Sequence, residues 1–366
     1  MQVPFIDLKK RFNFYQQQIL DGLIELGQTN DYILGKSVHI FETKMAEFIG
    51  CKYVIGVNSG FDALFLSLMA LGISPEDEVI TVSNSYIATA NAIKAVGATP
   101  IFVDVGKDYN ISVENIEKSI TSKTKAIMPV HLTGNPCEMD KIVKIAQKYN
   151  LKVIEDAAQA IGAKYKNKNV GNWGDAGCFS MHPIKNLGLL GDGGFICTNS
   201  KAIQKKLLLL RNHGHKNRDE IIEFGYNSRL DTFQASVALI FLNDLGSWNK
   251  KINQISDMYR SNIRGLVVHP LIQKNSFAVY QNYIVMVPER DKLIGFLLDH
   301  GVETKIHYPI PIHKQKAYKY INRKIQTLPE TERQASQILS LPIYPELTDE
   351  QVSHTIETIN AFYAIK

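Results

Sequence analysis

The sequence predicts an α/β protein whose larger N-terminal domain is built on a mostly parallel sheet and whose smaller C-terminal domain is also α/β. The chain has 366 residues, of which 45% are hydrophobic and 21% charged, as is typical of a globular protein with a sizeable core. Between residues 54 and 199 short apolar runs alternate with helix-like stretches, and beyond residue 230 this rhythm changes. We therefore expect a first domain over residues 1–245 and a second over residues 246–366.

Seven short apolar runs predict the strands of the larger domain. Apolar and polar residues alternate poorly within them, as expected for a parallel sheet that is covered on both faces. Between the runs, residues at helical spacing such as Met139, Ile142 and Ala146 predict helices, so the repeated unit is βαβ. The predicted strands are Val54–Asn58, Glu78–Val82, Pro100–Val105, Ala126–His131, Val153–Asp156, Ala176–Met181 and Gly194–Thr198.

The chain after Leu230 predicts a different arrangement. A single long helix is expected to run to about Tyr259, because Phe233, Val237 and Ile240 keep one face apolar. The smaller domain then follows, with a strand at Phe277–Val287, a helix at Arg290–His300 and a strand at Glu303–His307.

Composition excludes several classes of function. The net charge of +5 is small and the basic residues are scattered, which argues against nucleic acid as a partner. No run approaches the ~20 apolar residues of a membrane span, and the N-terminus lacks a secretory pattern. Four cysteines without a CxxC pair indicate reduced thiols in the cytoplasm. His213 and His215 have no third ligand at metal spacing, so we expect no metal site.

Ligands of open α/β sheets bind at the carboxyl ends of the strands, which directs attention to the polar residues there. Asn58-Ser59-Gly60 follows the first strand and begins a helix, where an anion could bind, although an ordinary helix cap has the same pattern. Glu155-Asp156 ends another strand and precedes small or neutral residues, an arrangement suited to a carboxylate that faces a pocket.

A lysine in a glycine-rich loop is the third candidate. Lys185 follows an apolar strand, in a loop kept tight by Pro183 and by the glycines after it, where a partly desolvated amine could act as a nucleophile toward a carbonyl. The alternative is a surface lysine in a turn. The chain has no GxGxxG after the first strand and no Walker-type GKS/T, so a dehydrogenase or nucleoside-triphosphatase lacks its usual support.

Ten segments, in this order and over nearly the whole chain, resemble the sugar aminotransferases of the DegT/DnrJ/EryC1/StrS family. That family uses pyridoxal phosphate on the fold type I, or aspartate aminotransferase-like, scaffold. The segments are Pro4–Leu8, Tyr32–Gly35, Phe41-Glu42, Gly56–Gly60, Ile87–Asn91, His131-Leu132, Glu155–Gln159, the Lys185 loop, Arg211–Gly214 and Tyr226–Asp231.

The resemblance implies a role for each candidate around the cofactor ring. Lys185 would hold the cofactor and also transfer protons during catalysis. Asp156 would pair with the pyridinium nitrogen and keep it protonated. Tyr86 would stack on the ring, unless it is a buried aromatic at a helix start. Gln159 would hydrogen-bond the phenolic oxygen.

The resemblance also implies that the phosphate site is shared between two chains. The Ser59-Gly60-Phe61 turn would supply backbone N–H groups, Ser180 a hydroxyl, and Asn227 of the neighbouring subunit a side-chain contact, which makes the active enzyme a homodimer. Two departures from the family pattern are expected to matter. Phe61 stands where the family usually has threonine, and Met181–Ile184 forms a variant loop before Lys185.

The substrates implied by the family are glutamate as donor and a nucleotide-linked keto sugar as acceptor, with a lean toward carbon 3 over carbon 4. His307, Tyr308 and His313 are candidates for contacting the sugar or nucleotide. Lys185 argues against the family's dehydratase branch, which has histidine there. Two alternatives remain at this point: transamination of a small ketose or ketose phosphate without a nucleotide, and a non-catalytic sensor or scaffold that only binds the cofactor.

Overall fold

The computed structural model describes residues 1–321 and 327–364, so a small part of the predicted second domain lies outside the described residues. The helices are Leu8–Thr29 (α1), Lys36–Ile49 (α2), Gly60–Ala70 (α3), Ala88–Ala95 (α4), Val113–Lys118 (α5), Met139–Tyr149 (α6), Lys201–Leu210 (α7), Thr232–Leu242 (α8), Leu245–Asn262 (α9), Arg290–Asp299 (α10), Pro329–Gln337 (α11) and Asp349–Ala364 (α12). The strands are Tyr53–Val57 (β1), Glu78–Val82 (β2), Thr99–Val103 (β3), Thr124–Ile127 (β4), Lys152–Asp156 (β5), Lys164–Tyr165 (β6), Lys168–Asn169 (β7), Ala176–Ser180 (β8), Gly194–Thr198 (β9), Ser276–Phe277 (β10), Tyr283–Met286 (β11) and Ile338–Leu341 (β12).

A seven-stranded sheet in the order β1-β9-β8-β5-β4-β2-β3 forms the centre of the N-terminal region. β9 runs antiparallel to β1 and β8, and the other neighbouring strands pair in parallel. Successive residues of β9 enter different apolar clusters, with Phe195 on one face and Ile196 on the other, because helices cover both faces. The α/β fold with a mostly parallel seven-stranded sheet is confirmed, and each predicted run contributes one strand.

Two helices precede the first strand, in a region to which sequence analysis assigned no element. α1 and α2 pack with α8 over one face of the sheet, where Tyr15, Phe41 and Phe241 share a buried cluster with Phe195 of β9. The opposite face is covered in part by α3, whose Leu64 packs in the cluster that contains Ile196. The start of α3 is thereby fixed against the ends of β8 and β9.

The single long helix predicted from Leu230 to Tyr259 is wrong, because the chain breaks between α8 and α9. Neither Asn243 nor Asp244 at the break is a proline or a glycine, so the sequence carries no strong signal for it. The hydroxyl of Tyr15 on α1 donates a hydrogen bond to Asp244 at 2.6 Å. A contact with a distant part of the chain therefore accompanies the break.

The C-terminal sheet also differs from its prediction. The expected strand at Phe277–Val287 is divided into β10, which pairs with β6, and β11, which pairs with β12. The expected strand at Glu303–His307 is reduced to one bridge between Lys305 and Ser340, and β12 takes the place beside β11. The predicted helix at Arg290–His300 is confirmed as α10, which ends one residue earlier.

The N-terminal segment packs with the C-terminal region. Val3 lies in the same buried cluster as Tyr259, Tyr283 and Leu339, and it forms a parallel bridge with Val302. The boundary between residues 245 and 246 stays a prediction. Among residues 1–321 and 327–364, no helix combines the length and the apolar character needed to cross a membrane.

Candidate active site

The polar residues singled out at strand ends meet at one edge of the central sheet. β1, β5 and β8 point their carboxyl ends to this edge, because the intervening β9 is antiparallel to both β1 and β8. Ser59 and Gly60 follow β1, Asp156 ends β5, Ser180 ends β8, and Lys185 lies in the loop after β8. This is the edge at which α/β sheets bind their ligands.

The start of α3 crosses the ends of β8 and β9 at close range. A methyl group on Gly60 would lie 2.6 Å from Cβ of Ser180, and one on Gly194 would lie 2.8 Å from the amide nitrogen of Gly60. Ser59 caps α3 by accepting a hydrogen bond at 3.1 Å from an amide of the first turn. The first amides of a helix have no intrahelical acceptor, and the helix dipole favours an anion there. The crossing therefore offers the Gly60 and Phe61 amides and the Ser180 hydroxyl to a small anion.

The side chain of Phe61 is engaged along the surface of α3. Its ring stacks on Phe65 at a centroid distance of 6.1 Å and an angle of 7°, and Phe65 meets Tyr226 edge-on at 5.0 Å. Only the backbone amide of Phe61 is available to an anion, since the side chain has no hydroxyl to offer.

Asp156 is the buried carboxylate of the site, with 4% of its surface exposed. It accepts hydrogen bonds from the hydroxyl of Thr89 at 2.7 Å and from the amide of Ala158 at 3.2 Å. Burial raises the pKa of Asp156, whereas these two hydrogen bonds and the positive charge of Lys185 act in the opposite direction. A cationic group placed against this carboxylate would offset the cost of burying its charge.

Thr89 and Ser85 support Asp156, and sequence analysis assigned neither of them a role. The two hydroxyl oxygens lie 2.7 Å apart, and both side chains are buried. Because Thr89 gives its only hydroxyl proton to Asp156, Ser85 must donate to Thr89. Thr89 belongs to the Ile87–Asn91 segment, which is part of the family resemblance. Only the fold shows that the hydroxyl of Thr89 reaches the carboxylate of Asp156.

Glu155 serves a different purpose from its neighbour Asp156. It is fully buried and accepts hydrogen bonds from the amides of Gly171, Trp173 and Gly174 at 2.7–2.8 Å, while its carboxylate lies 3.1 Å from Nε2 of His131. Nδ1 of His131 accepts an amide hydrogen bond at 3.0 Å, so the imidazole is neutral and donates through Nε2. Glu155 therefore holds a loop against the strand that carries Asp156.

Lys185 lies in a tight loop that requires a glycine at position 188. A methyl group on Gly188 would overlap the carbonyl of Pro183 and lie 2.9 Å from that of Lys185. The ammonium group makes no hydrogen bond or ion pair with any described residue. Burial lowers the pKa of Lys185 to about 8, and the charge of Asp156 opposes this shift. The lowered pKa increases the fraction of the group that is the free amine near neutral pH, and the free amine is the form that attacks a carbonyl.

Tyr86, Gln159 and Tyr308 form a cluster beside Asp156. Tyr86 is 59% exposed, which is inconsistent with the buried aromatic considered as an alternative, and its ring lies 6.0 Å from that of Tyr308. Gln159 donates to the Tyr308 hydroxyl at 3.3 Å and accepts from the amide of Thr133 at 2.6 Å. Burial and the charge of Asp156 raise the pKa of Tyr308, so its hydroxyl keeps its proton.

His307 lies close enough to Lys185 to respond to its charge. Its Nδ1 lies 2.9 Å from the hydroxyl of Ser340. Burial, together with the charges of Lys185 and Lys305, lowers the pKa of His307 to about 4, so the ring is neutral near pH 7. The structure thus leaves His307 available as a neutral hydrogen-bonding group near the site.

His313 occupies a different environment. It is 1% exposed, and its two ring nitrogens lie 2.6 Å from the hydroxyl of Ser83 and 3.1 Å from the carboxylate of Glu332. Because both nitrogens are engaged within the protein, we assign His313 to the packing of α11 and withdraw it as a substrate contact.

Asn227 is exposed and forms a backbone bridge with Asn212. The adjacent Ser228 donates a hydrogen bond at 2.6 Å to Asp62 in the first turn of α3. This segment thus lies beside the start of α3 in the same chain. The contact of Asn227 with a phosphate bound by a second chain stays a prediction.

The comparison with known proteins decides among the functions that this geometry allows. The model of the DegT/DnrJ/EryC1/StrS aminotransferase family matches residues 14–360. The chain belongs to this family. A relative in Aneurinibacillus thermoaerophilus, the dTDP-3-amino-3,6-dideoxy-alpha-D-galactopyranose transaminase, is 44% identical over 98% of this chain and 99% of its own length.

Solved structures agree with that assignment. DesV of S. venezuelae is similar with a TM-score of 0.96 at 37% identity, over 99% of this chain and 98% of that one. NtdA from Bacillus subtilis, solved with bound cofactor PMP, is similar with a TM-score of 0.92 at 34% identity, over 99% of this chain and 85% of that one. This member of the family is a pyridoxal phosphate-dependent aminotransferase.

The residues described above fit that cofactor. Because Gly60 has no side chain, the start of α3 packs directly against Ser180, which places the first amides of α3 beside the Ser180 hydroxyl, where a phosphate would be stabilised. Asp156 offers a buried carboxylate to a protonated ring nitrogen, and Lys185 offers an amine to the aldehyde. One chain therefore contains groups that could bind the phosphate, the ring nitrogen and the aldehyde.

The lowered pKa of Lys185 predicts how the aminotransferase captures its cofactor. The rate at which apoprotein binds pyridoxal phosphate covalently should rise with pH and level off above about 8, because only the free amine reacts. Stopped-flow absorbance across pH 6–10 measures this rate. A rate that keeps rising toward pH 10 would contradict the assigned environment of Lys185.

Thr89→Val should lower kcat about 10- to 100-fold with a smaller change in KM, as for other residues that orient a catalytic group. The variant keeps the shape of the side chain but removes one of the two hydrogen bonds to Asp156. Thr89→Ser keeps the hydroxyl and should retain most of the activity. Steady-state kinetics at equal cofactor loading test this, and equal losses in the two variants would indicate a packing role instead.

Proposed function

We propose that this aminotransferase transfers the amino group of glutamate to a nucleotide-linked keto sugar at carbon 3, for the synthesis of a surface glycan. The observation that carries the proposal is the pairing of Lys185, whose pKa burial lowers to about 8, with the buried carboxylate of Asp156 at the same edge of the sheet. The lean toward carbon 3 is supported by the Lys185–Gly188 loop, which resembles the loop of enzymes that act on 3-keto sugars, and by the 3-amino sugar in the name of the relative from A. thermoaerophilus. Carbon 4 is the alternative position.

Each residue has a distinct task in this reaction. Bound pyridoxal phosphate supplies an electron sink next to the carbon that carries the amino group. The hydrogen bonds from Thr89 and Ala158 favour the ionised form of Asp156, which would pair with the ring nitrogen and keep it protonated. Nζ of Lys185, once the donor amine has taken its place, removes the proton from the α-carbon of the donor and later returns a proton to the sugar carbon. Tyr86 would stack on the ring of the bound cofactor, and His307 and Tyr308 would contact the sugar or nucleotide.

Absorbance spectroscopy of the purified enzyme tests the donor half of the proposal. The cofactor-loaded protein should be yellow and should lose that band when glutamate is added. A panel of acceptors, with and without a nucleotide, then tests the acceptor half. Amination of a ketose phosphate alone would overturn the substrate class, and a protein that binds no pyridoxal phosphate would overturn the mechanism.

We further propose a homodimer with shared active sites, acting in the cytoplasm. The dimer is supported by the exposed position of Asn227 and by the exposed apolar side chains near it, Ile221, Ile222 and Phe224. The cytoplasm is supported by the four cysteines, all of which are free thiols.

Mixed dimers test whether the site is shared. Asn227→Ala should weaken cofactor binding about tenfold or more, since it removes a hydrogen bond to a charged phosphate. If Asn227 serves the other subunit, mixing Asn227→Ala chains with inactive Lys185→Ala chains rebuilds one intact site per mixed dimer. Activity at low cofactor concentration should then exceed that of either variant alone. Activity no greater than the average of the two would place Asn227 in its own chain's site.

A further inference from the structure

Ser83, which follows β2, attaches a segment of the C-terminal region to the central sheet. Its carbonyl oxygen accepts a hydrogen bond from the amide of Ile312 at 2.8 Å, and its hydroxyl oxygen accepts one from the amide of His313 at 2.9 Å. The same hydroxyl lies 2.6 Å from Nδ1 of His313, and both side chains are buried. Ile312 also packs in an apolar cluster with residues of α4 and β3, but apolar contacts have no direction. The hydrogen bonds at Ser83 therefore set the position of this segment on the sheet.

The ring of His313 links Ser83 to α11 in a defined order. Its Nε2 lies 3.1 Å from the ionised carboxylate of Glu332, which can only accept, so Nε2 carries a proton. Burial lowers the pKa of His313, although the hydrogen bond with Glu332 opposes this shift, so the ring is neutral near pH 7. Nδ1 of such a ring is an acceptor, and the Ser83 hydroxyl must donate to it.

Glu332 is itself held against the sheet. Asp104, which follows β3, accepts hydrogen bonds at the start of α11 from the amides of Glu330 and Thr331, at 2.9 and 2.8 Å. The hydroxyl of Thr331 donates a third hydrogen bond to this carboxylate at 2.8 Å. Since β2 and β3 are parallel neighbours, the carboxyl ends of both strands fix the surroundings of His313.

Tyr308 of the active site is joined to Ser83 by a stiff link. Only the three residues Pro309–Pro311 separate Tyr308 from Ile312, and the φ angle of each proline in this link is restricted. The hydroxyl of Tyr308 accepts a hydrogen bond from Gln159 at 3.3 Å, and its ring lies 6.0 Å from that of Tyr86. A shift of the segment at Ile312 would therefore move Tyr308 within the site.

The segment that carries Tyr86 has an attachment of its own. The side chain of Asn84, between Ser83 and Tyr86, is buried and donates a hydrogen bond to the backbone carbonyl of Tyr109 at 2.9 Å. This attachment does not involve the C-terminal region. Loss of the contact between Ser83 and the C-terminal segment should therefore displace Tyr308 relative to Tyr86.

We propose that His313 is a positioning residue, which acts through Ser83 to set the distance between Tyr308 and Tyr86 and thereby the shape of the sugar site beside the cofactor. In this role His313 touches neither the substrate nor the cofactor, since both of its ring nitrogens are engaged within the protein. The proposal rests on the proposed function, because it takes the sugar or nucleotide as the partner of Tyr308.

Hydrogen exchange of the apoprotein tests this contact without any substrate. His313→Leu removes both ring contacts and should speed exchange of the amides at residues 308–313 about tenfold or more. His313→Asn keeps an acceptor near the position of Nδ1 and should exchange like the wild type. Thr331→Val, the matched control, removes a buried hydroxyl of α11 but leaves His313 and Ser83 intact. Unchanged exchange in His313→Leu, or equal acceleration in all three variants, would overturn the proposal.

Cofactor conversion by an amino sugar tests the consequence for the site. The probe is dTDP-3-amino-3,6-dideoxy-alpha-D-galactopyranose, the sugar in the name of the relative from A. thermoaerophilus. In His313→Leu and in Ser83→Ala, the concentration that half-saturates the loss of the yellow band should rise about tenfold, with the limiting rate changed about threefold or less. His313→Asn should restore the wild-type value, and Thr331→Val should keep it.

The variant that combines Ser83→Ala and His313→Leu shows whether His313 acts through Ser83. Its half-saturating concentration should be no higher than that of either single variant, because both substitutions remove the same contact. Losses that add in the double variant would overturn the proposal.

The two measurements also separate this proposal from the proposed function. A wild type that reacts with glutamate but with no nucleotide-linked amino sugar would contradict the proposed acceptor, while the exchange rates would still decide whether His313 holds the segment of Tyr308. A wild type that reacts with the amino sugar, together with an unchanged half-saturating concentration in His313→Leu, would contradict the positioning role alone.

Discussion

Lys185→Ala should abolish transamination, lowering kcat by about 10⁴-fold or more, because one side chain serves as both the covalent attachment and the proton carrier. The fold should persist, since the ammonium group makes no hydrogen bond or ion pair with the described residues. Single-turnover absorbance with glutamate measures the loss. Circular dichroism and thermal unfolding measure the fold. Lys205→Ala, which alters an exposed lysine on α7, is the matched control.

The same substitution has a defined effect on stability. Folding lowers the pKa of Lys185 from 10.5 to about 8, so the folded state resists protonation of this amine. The contribution of Lys185 to the free energy of unfolding is therefore present above pH 10.5 and is lost as the pH falls through about 8. At pH 7 the Lys185→Ala apoprotein should be at least as stable as the wild type. A variant that keeps normal turnover would exclude Lys185 from the mechanism.

Asp156→Asn should lower kcat about 10²- to 10³-fold, the usual cost of removing one group that stabilises charge in a reaction centre. The loss of cofactor affinity should be smaller, because the phosphate and Lys185 still hold the cofactor. Steady-state kinetics and the dissociation constant for pyridoxal phosphate separate the two effects. An unchanged kcat would remove Asp156 from the mechanism.

The apoprotein provides a check on Asp156 that does not depend on activity. Burial raises the pKa of Asp156 in the folded state, so its contribution to stability is present at low pH and is lost as the pH rises through that pKa. The stability of Asp156→Asn relative to the wild type should therefore increase with pH, as measured by urea unfolding. Asp257→Asn, which alters an exposed carboxylate on α9, should show no such trend.

Much of the fold could be predicted from local pattern. Every strand of the central sheet was predicted, because a buried parallel strand requires a continuous apolar run, which is visible without knowledge of its neighbours. The break between α8 and α9 could not be predicted in this way, since neither Asn243 nor Asp244 is a proline or a glycine. It is accompanied by a hydrogen bond from Tyr15, which is distant in the chain. β12 was missed for a similar reason, because its pairing with β11 joins segments that are distant in the chain.

Some features of the candidate site could likewise be predicted from the sequence, and others could not. Ser59, Asp156 and Lys185 could be found from the sequence, because strand ends and glycine-rich turns mark where a sheet presents polar groups, and Ser180 followed from the family resemblance. The sequence favoured His307 over His313 as a contact for the sugar or nucleotide, but it could not show the partners of either ring. Only the fold shows that Ser83 and Glu332 occupy the two nitrogens of His313, whereas His307 lies near Lys185.

The sequence by itself determined the order of the strands along the chain, the family resemblance and Lys185 as the candidate catalytic lysine, because each is encoded in residues close together in the chain. The tertiary structure alone decided the environment of those residues. The hydrogen bond from Thr89 to Asp156 and the lowered pKa of Lys185 both arise between segments that are distant in the chain. The physical reason is that hydrogen bonds and desolvation depend on distances in space, which a linear pattern does not contain.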